Sequence, residues 1–343
     1  MKDLSVSYMG LKLKNPVIVG SNGLTNSVSE IVKMEQNNAA AVVLKSVFEE
    51  QIQHETELLI KSDSEKMAPM TKGMGELMKK RSYDYLEAND YISNFAREQT
   101  LAKYLKFISD VKKAVSIPII ASINCVYTYD WYSFAKRIQD AGADAIELNI
   151  YVLPSDPNRT GAENDAVYEN VINEVKKYVT IPISVKMSYY FSGLTSKLIE
   201  LSGSGIKGMV LFNRPYSPDI DIDNFTITSG NIYSSPTDYV HTMRWVAILA
   251  GRLKCDIAAT TGIHDSESTI KLLLAGANVL QITSVLYSHG LTQISEIVSG
   301  IEKWMEKHNF SSIEDFRGKM CQKNIEHPAA YERVQFMKLY SKI

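Results

Sequence analysis

Short apolar runs bounded by turn residues alternate with amphipathic stretches along most of the 343-residue chain. Leu4 to Tyr8 and Leu11 to Leu13 flank Met9-Gly10, which predicts a small hairpin ahead of the main fold. Pro16 to Gly20 reads as a first buried strand, and a Ser/Asn/Gly loop leads to a helix from about Ser29 to Asn37. Ala40 to Leu44 is the second strand. A polar excursion from Phe48 to Asn94 follows, long enough to suggest a lid or substrate wall, and a helix over Leu101–Val115 returns to the strand Ile117–Ile123. The rhythm is then regular, with strands at Ala145–Leu148, Ile181–Val185, Gly208–Phe212, Asp256–Thr260 and Val279–Ile282. Helices are predicted between them at Tyr129–Ala141, Asp165–Tyr178, Leu194–Leu201 and Thr237–Leu253, with Gln293–Lys307 as the last. The insertion from Arg214 to Ser235 predicts a loop or hairpin.

Eight strands in this order, with no Pro/Gly/Ser-rich linker, predict an α/β fold: a single (β/α)8 TIM barrel over residues 1–343. An N-terminal hairpin, long loop insertions at the C-terminal face and a tail over 308–343 complete the expected organisation.

The segment Asp256 to Ser284 carries the first chemistry. Thr260-Thr261-Gly262 ends one strand and Thr283-Ser284 ends the next, with a helix capped by Asp265 or Ser266 and stopped by Gly276 between them. Small and hydroxyl residues at two successive strand ends match a phosphate cradle after strands seven and eight of a barrel. Taken alone, the segment also fits a plain βαβ unit whose turns are small because turns prefer small residues. The other strand ends add weight: Ser21-Asn22, Lys45-Ser46, Asn124, Asn149, Lys186 and Asn213 are all polar. Asparagine offers a donor and an acceptor and lysine a point charge, a set suited to a planar ligand with carbonyls and ring nitrogens. The string GSGIKG at Gly203–Gly208 follows a helix and precedes a strand, the reverse of a dinucleotide fingerprint, and reads as a connection.

Composition narrows the class. Hydrophobic content of 45% with 22% charged residues is ordinary for a globular chain, and a net charge of -2 gives no support for nucleic-acid binding. Cys125, Cys255 and Cys321 are odd in number and widely spaced, so reduced thiols and a cytoplasmic location are expected, with no metal site. No signal-type or membrane-spanning run is apparent, so no membrane partner is expected.

In order and spacing, NPVIVGSNGLT, VVLKSV, IASINC, GADAIELNI, IPISVKMS and GANVLQITSVLY resemble successive blocks of the dihydroorotate dehydrogenase superfamily. These are FMN-dependent barrels that include the pyrimidine-reducing part of dihydropyrimidine dehydrogenase. The tail FSSIEDFRGKM resembles the C-terminal signature of the cytosolic class 1 enzymes. The resemblance implies FMN as cofactor, a pyrimidine-like small molecule as substrate, a homodimer, and oxidation of dihydroorotate to orotate in pyrimidine biosynthesis. By the same resemblance, Lys45 and Lys186 would hold the flavin ring edge, Lys45 with a catalytic share. Ser21, Asn22, Ser46, Asn124, Asn149 and Asn213 match flavin-contacting positions, and Thr261, Gly262, Thr283 and Ser284 match the phosphate cup.

Two departures stand out. The family motif ELNxSCPN or ELNxSxPN supplies a Cys or Ser base, whereas this chain reads ELNIYVLPSDPNRTG, leaving Tyr151 or Ser155 as substitutes. A phenol of ordinary pKa, about 10, needs strong activation to act as a base. The usual TGGI is TTGI here, which places the Thr261 side chain where backbone would approach phosphate. The alternatives are an FMN oxidoreductase of the same fold with a different substrate, or a flavin- or phosphate-binding barrel without catalysis.

Overall fold

The computed structural model describes residues 2–46, 100–124 and 131–333, with the side chains of residues 131–133 excepted. The expected excursion from Phe48 to Asn94 and Cys125 lie outside the described residues.

Strands β1 (Val6–Tyr8) and β2 (Leu11–Leu13) form the N-terminal hairpin, with Tyr8 opposite Leu11. Met9 and Gly10 both take positive φ (54° and 80°), as a tight two-residue hairpin turn requires. Val6, Tyr8 and Leu13 are buried while Ser7 and Lys12 face water, the period-two pattern of a half-buried ribbon. The hairpin lies at the N-terminal ends of the barrel strands: the Met9 amide donates to the Asp256 carboxylate at 2.7 Å.

The barrel itself comprises β3 (Val17–Val19), β4 (Ala41–Val43), β5 (Ile119–Asn124), β6 (Ala145–Asn149), β7 (Ile183–Met187) and β8 (Gly208–Leu211). After a two-stranded excursion, β9 (Pro218–Asp221) paired with β10 (Thr226–Ser229), come β11 (Asp256–Thr260) and β12 (Val279–Ile282). All eight barrel strands are parallel, and β12 pairs with β3 to close the ring. Nearly every strand residue is buried because one face meets the helices and the other meets the barrel interior, which is why the strands read as apolar runs.

The helices are α1 (Val28–Gln36), α2 (described over 100–114), α3 (Trp131–Asp140), α4 (Gly161–Lys176), α5 (Leu194–Ser202) and α6 (Tyr239–Leu249). They continue with α7 (Ser266–Ala275), α8 (Ser284–His289) and α9 (Thr292–Lys307). Three differ from expectation. Helix α4 begins four residues before Asp165, because Thr160 and Glu163 cap each other: the Thr160 hydroxyl accepts from the Glu163 amide and the Thr160 amide donates back at 2.7 Å. Helix α6 is shorter than Thr237–Leu253, since Ala250 turns extended (ψ 127°) and Gly251 takes φ 77°. Helix α8 was not expected, and it starts at the residue read as a turn after β12.

Part of the C-terminal tail packs back on the barrel's helices. Gly318, Met320 and Gln322 donate backbone hydrogen bonds to Leu273, Leu274 and Ala247, satisfying carbonyls at the ends of α7 and α6. No described helix is long and apolar enough to cross a membrane.

Candidate functional site

Residue alternation along β5, β6 and β7 organises the barrel mouth. Asn124 pairs with Asn149 and Asn149 with Lys186, so these three side chains stand side by side at one level. Two residues earlier on the same inward face, Ser122, Glu147 and Ser184 form a second, buried level. Gln281 of β12 reaches this level from the opposite side of the ring, its Nε2 donating to Glu147 Oε2 at 2.6 Å.

A cavity of about 230 Å³ opens at the C-terminal ends of the strands. Eight of the residues picked out in the sequence line it: Ser21, Lys186, Asn213, Thr260, Thr261, Gly262, Thr283 and Ser284. Ser46 and Asn149 bond to residues of that lining, and Asn124 pairs with Asn149 across β5 and β6. Ser46 Oγ lies 3.1 Å from Ser21 Oγ and 2.7 Å from Ser122 Oγ, and its amide donates to Ser21 Oγ at 3.0 Å. Asn213 Nδ2 donates to Asn149 Oδ1 at 2.9 Å, joining the ends of β8 and β6.

Asn22 and Lys45 lie outside this lining. Asn22 caps the short turn Gly23–Asn26, accepting from the Leu24 amide at 2.7 Å, and accepts from the Tyr287 hydroxyl at 3.2 Å. Lys45 is half-buried after β4, and its amide donates to the Thr25 carbonyl at 3.3 Å.

The two candidate bases are not brought to the cavity. Tyr151 is half-buried and meets Tyr190 edge-on, with ring centroids 6.2 Å apart. Burial, then the neighbouring Tyr190, pushes its phenol well above the ordinary tyrosine range. Ser155 is exposed in the loop after β6.

The cradle after β11 has a steric cause. Gly262 takes φ 75°, and a Cβ there would lie 2.2 Å from the Tyr239 amide nitrogen at the start of α6. Thr261 also takes positive φ, 77°, and its hydroxyl donates to the Phe212 carbonyl at 3.2 Å. Ser284 Oγ accepts from the Ser234 amide at 3.0 Å, which draws the end of the insertion over the cradle. His264 Nε2 lies 3.2 Å from Ser234 Oγ, and burial lowers its imidazole pKa.

Sequence reasoning missed several residues here. Gln281 and Glu147 are single polar residues inside apolar strands, and that anomaly was the available signal. Arg214 and Ser234 also line the cavity, and Arg214 donates to the Ile232 and Asn231 carbonyls at 2.7 and 2.6 Å. A second cavity of about 500 Å³ shares Phe212, Asn213, Arg214 and Thr261 with the first and adds Tyr189 and His241. Burial and the Arg244 charge lower the His241 pKa, favouring a neutral imidazole. Among the described residues no group of three His, Cys, Asp or Glu could hold a metal ion.

The sequence profile of the family described as dihydroorotate dehydrogenase matches residues 3–305. The catalytic subunit of dihydroorotate dehydrogenase B (NAD(+)) from Thermoplasma acidophilum is 28% identical, over 93% of this chain and 99% of its own length. Chloroplastic dihydropyrimidine dehydrogenase (NADP(+)) from Arabidopsis thaliana is 22% identical over 96% of this chain and 80% of its own. The PreA subunit of NAD-dependent dihydropyrimidine dehydrogenase from Escherichia coli K12 is 22% identical over 92% of this chain and 76% of its own. With a match over nearly its whole length and a closed eight-stranded parallel barrel beneath it, the chain belongs to the dihydroorotate dehydrogenase family.

Proposed function

We propose that the protein is an FMN-dependent oxidoreductase acting on the CH–CH bond of a dihydropyrimidine, with dihydroorotate to orotate as the default reaction. The observation that carries this reading is the cavity at the strand ends that gathers Lys186, Asn213, Thr261, Gly262, Thr283 and Ser284. Family membership supplies the reaction class.

The residues present fit FMN in three ways. Gly262 lines the cavity at the end of β11 with positive φ, 75°, and no side chain. Thr283 and Ser284 add hydroxyl groups beside it, as a phosphate requires. Asn124 Oδ1 and Gln281 Oε1 are buried at the mouth without a hydrogen-bond partner among the described residues, the condition of acceptors built for a ligand. When bound, FMN supplies the hydride-accepting centre. Lys186 would hold the electron-rich edge of the ring, where a positive charge favours the reduced, anionic state. Asn149 and Asn213, bonded to each other, would orient amide-like groups of ring or substrate.

A second reading keeps the fold and cofactor but changes the substrate. It is favoured by the loop after β6, where Tyr151 packs on Tyr190 and Ser155 faces solvent. One experiment separates the readings. The purified protein should be yellow and release FMN on denaturation, and dihydroorotate added without oxygen should bleach it. A yellow protein that dihydroorotate leaves unbleached favours the second reading, and a colourless protein that takes up no FMN overturns both.

A further inference from the structure

Gln281 is 1% exposed and sits in the middle of an apolar strand. Its amide has two ends with opposite hydrogen-bonding character, and the structure assigns each a direction. Nε2 donates to Glu147 Oε2 at 2.6 Å across the barrel, and a carboxylate oxygen can only accept. The amide oxygen must therefore turn away from Glu147. It has no hydrogen-bond partner among the described residues although it is buried.

The oxygen lies beside the end of β3. Gln281 lines the cavity that holds Lys186, Thr283 and Ser284. A Cβ built on Gly20, at the end of β3, would lie 3.4 Å from Gln281 Oε1 and 2.9 Å from Thr283 Oγ1, so the absent side chain leaves this approach open. Two of the cavity's donors are engaged elsewhere: the Thr260 hydroxyl donates to the Gln281 backbone carbonyl at 3.0 Å, and Asn213 Nδ2 donates to Asn149. A buried acceptor at a cavity wall, without a hydrogen-bond partner among the described residues, is one whose partner arrives with the ligand.

We propose that Gln281 binds the cofactor, its amide oxygen accepting a hydrogen bond from a donor of bound FMN, and that Glu147 is a positioning residue that fixes which end of the amide faces the cavity. The inference rests on the FMN reading. The donor is either the imide N–H of the ring or a ribityl hydroxyl, and the two are chemically separable.

The test is titration of the apoprotein with FMN, followed by quenching of flavin fluorescence, with circular dichroism as the control for folding. Gln281→Met keeps the volume and removes the amide, and it is expected to weaken FMN binding about tenfold. Glu147→Gln replaces an obligate acceptor with a group that also donates. The Gln281 amide can then reverse, and a comparable loss is expected. The double variant should bind FMN no more weakly than Gln281→Met alone, because Glu147 acts only through the amide. A purely structural role for Glu147 would instead give additive losses, and that result overturns its assignment. If Gln281→Met does not fold, Gln281→Asn, which withdraws the amide by one methylene, takes its place.

The 3-methyl derivative of FMN, which lacks the imide donor, distinguishes the sources. If the tenfold gap between parent and Gln281→Met disappears with this analogue, the partner is the imide. If it persists, the partner is a ribityl hydroxyl. Equal FMN affinity in parent and Gln281→Met overturns the proposal while leaving the FMN reading intact. Absence of FMN binding in every form overturns that reading and this proposal with it.

Discussion

Substitution of Gly262 by alanine separates two costs that glycine avoids, and Gly10 provides the matched control. Both glycines take positive φ, 75° and 80°, so alanine pays a left-handed backbone penalty of about 1 kcal/mol at either position. Their surroundings differ. An added Cβ at Gly10 meets nothing within 4 Å, whereas at Gly262 it would lie 2.2 Å from Tyr239 N and 2.7 Å from the Asp238 carbonyl carbon. Both atoms are backbone at the entry to α6, so no side-chain rotation relieves the clash. The start of α6 has to retreat, against the Thr242 hydroxyl that donates to the Thr260 carbonyl at 3.0 Å. Forced overpacking of this kind costs about 1–3 kcal/mol beyond the shared backbone term. At about 2 °C per kcal/mol for a chain of this size, Gly262→Ala should melt roughly 2–6 °C below Gly10→Ala. Thermal unfolding of the two variants side by side, followed by circular dichroism, makes the comparison. Equal melting temperatures would refute the claim that close packing of α6 demands glycine at the cradle.

Lys186→Ala is expected to slow anaerobic flavin reduction about a hundredfold while leaving the melting temperature nearly unchanged, and stopped-flow absorbance measures it. Thr261→Gly removes both a side chain from the cavity lining and a strained positive φ, so it should tighten FMN binding in a fluorescence titration; weaker binding would contradict the placement. Burial alone would raise the Glu35 pKa, but hydrogen bonds from the Ser116 hydroxyl and the Ser116 and Ile117 amides outweigh it and hold the carboxyl below its usual value. A depressed folded-state pKa adds stability that is present above the unfolded value and lost as pH falls through the folded one. Glu35→Gln should therefore be less stable than the parent at pH 7, by about 1 kcal/mol or less given solvent screening. The gap should close in denaturation curves measured below about pH 4. Burial, with the Asp256 carboxylate adding to it, pushes the Cys255 thiol up to about 12, so iodoacetamide at pH 8 should label it only after denaturation, as read by peptide mass spectrometry.

Much of the barrel was legible because its strands are buried on both faces, so Val17–Val19, Ala41–Val43 and Val279–Ile282 appear in the sequence as unbroken apolar runs. The polar strand ends were legible for the same reason: a change from apolar to Asn, Lys or Thr marks where the strand leaves the core. Helix starts were less so. The Thr160–Glu163 capping box pulls α4 forward by a turn, and α8 begins at Ser284, a residue equally at home in a turn. The insertion after β8 fitted a loop or a hairpin, and β9 with β10 is the hairpin, set by pairing that Asp, Ser and Thr content does not specify. Side-chain direction was the least legible property. The position of Tyr151 follows from β6, but its turn toward Tyr190 depends on a contact from β7's loop 39 residues away in the chain, which local pattern does not encode.

The inside of the barrel gives the strongest physical argument that this site is built for a ligand. A barrel whose interior serves only stability is filled by layers of branched aliphatic side chains. Here Ser122, Glu147, Ser184 and Gln281 occupy buried inward positions instead, with Tyr8 entering from the opposite end. Burying a carboxylate and an amide is costly, and Tyr8 Oη, Glu147 Oε1 and Gln281 Oε1 are left without partners among the described residues. An apolar filling would be more stable, so the polar layer is explained by what it supports. It lies directly beneath Asn124, Asn149 and Lys186, and through Gln281 it presents an oriented acceptor to the cavity above. Stability given up inside the barrel thus fixes the direction of hydrogen-bonding groups at its mouth, which is what recognition of a flat, heteroatom-rich ring demands.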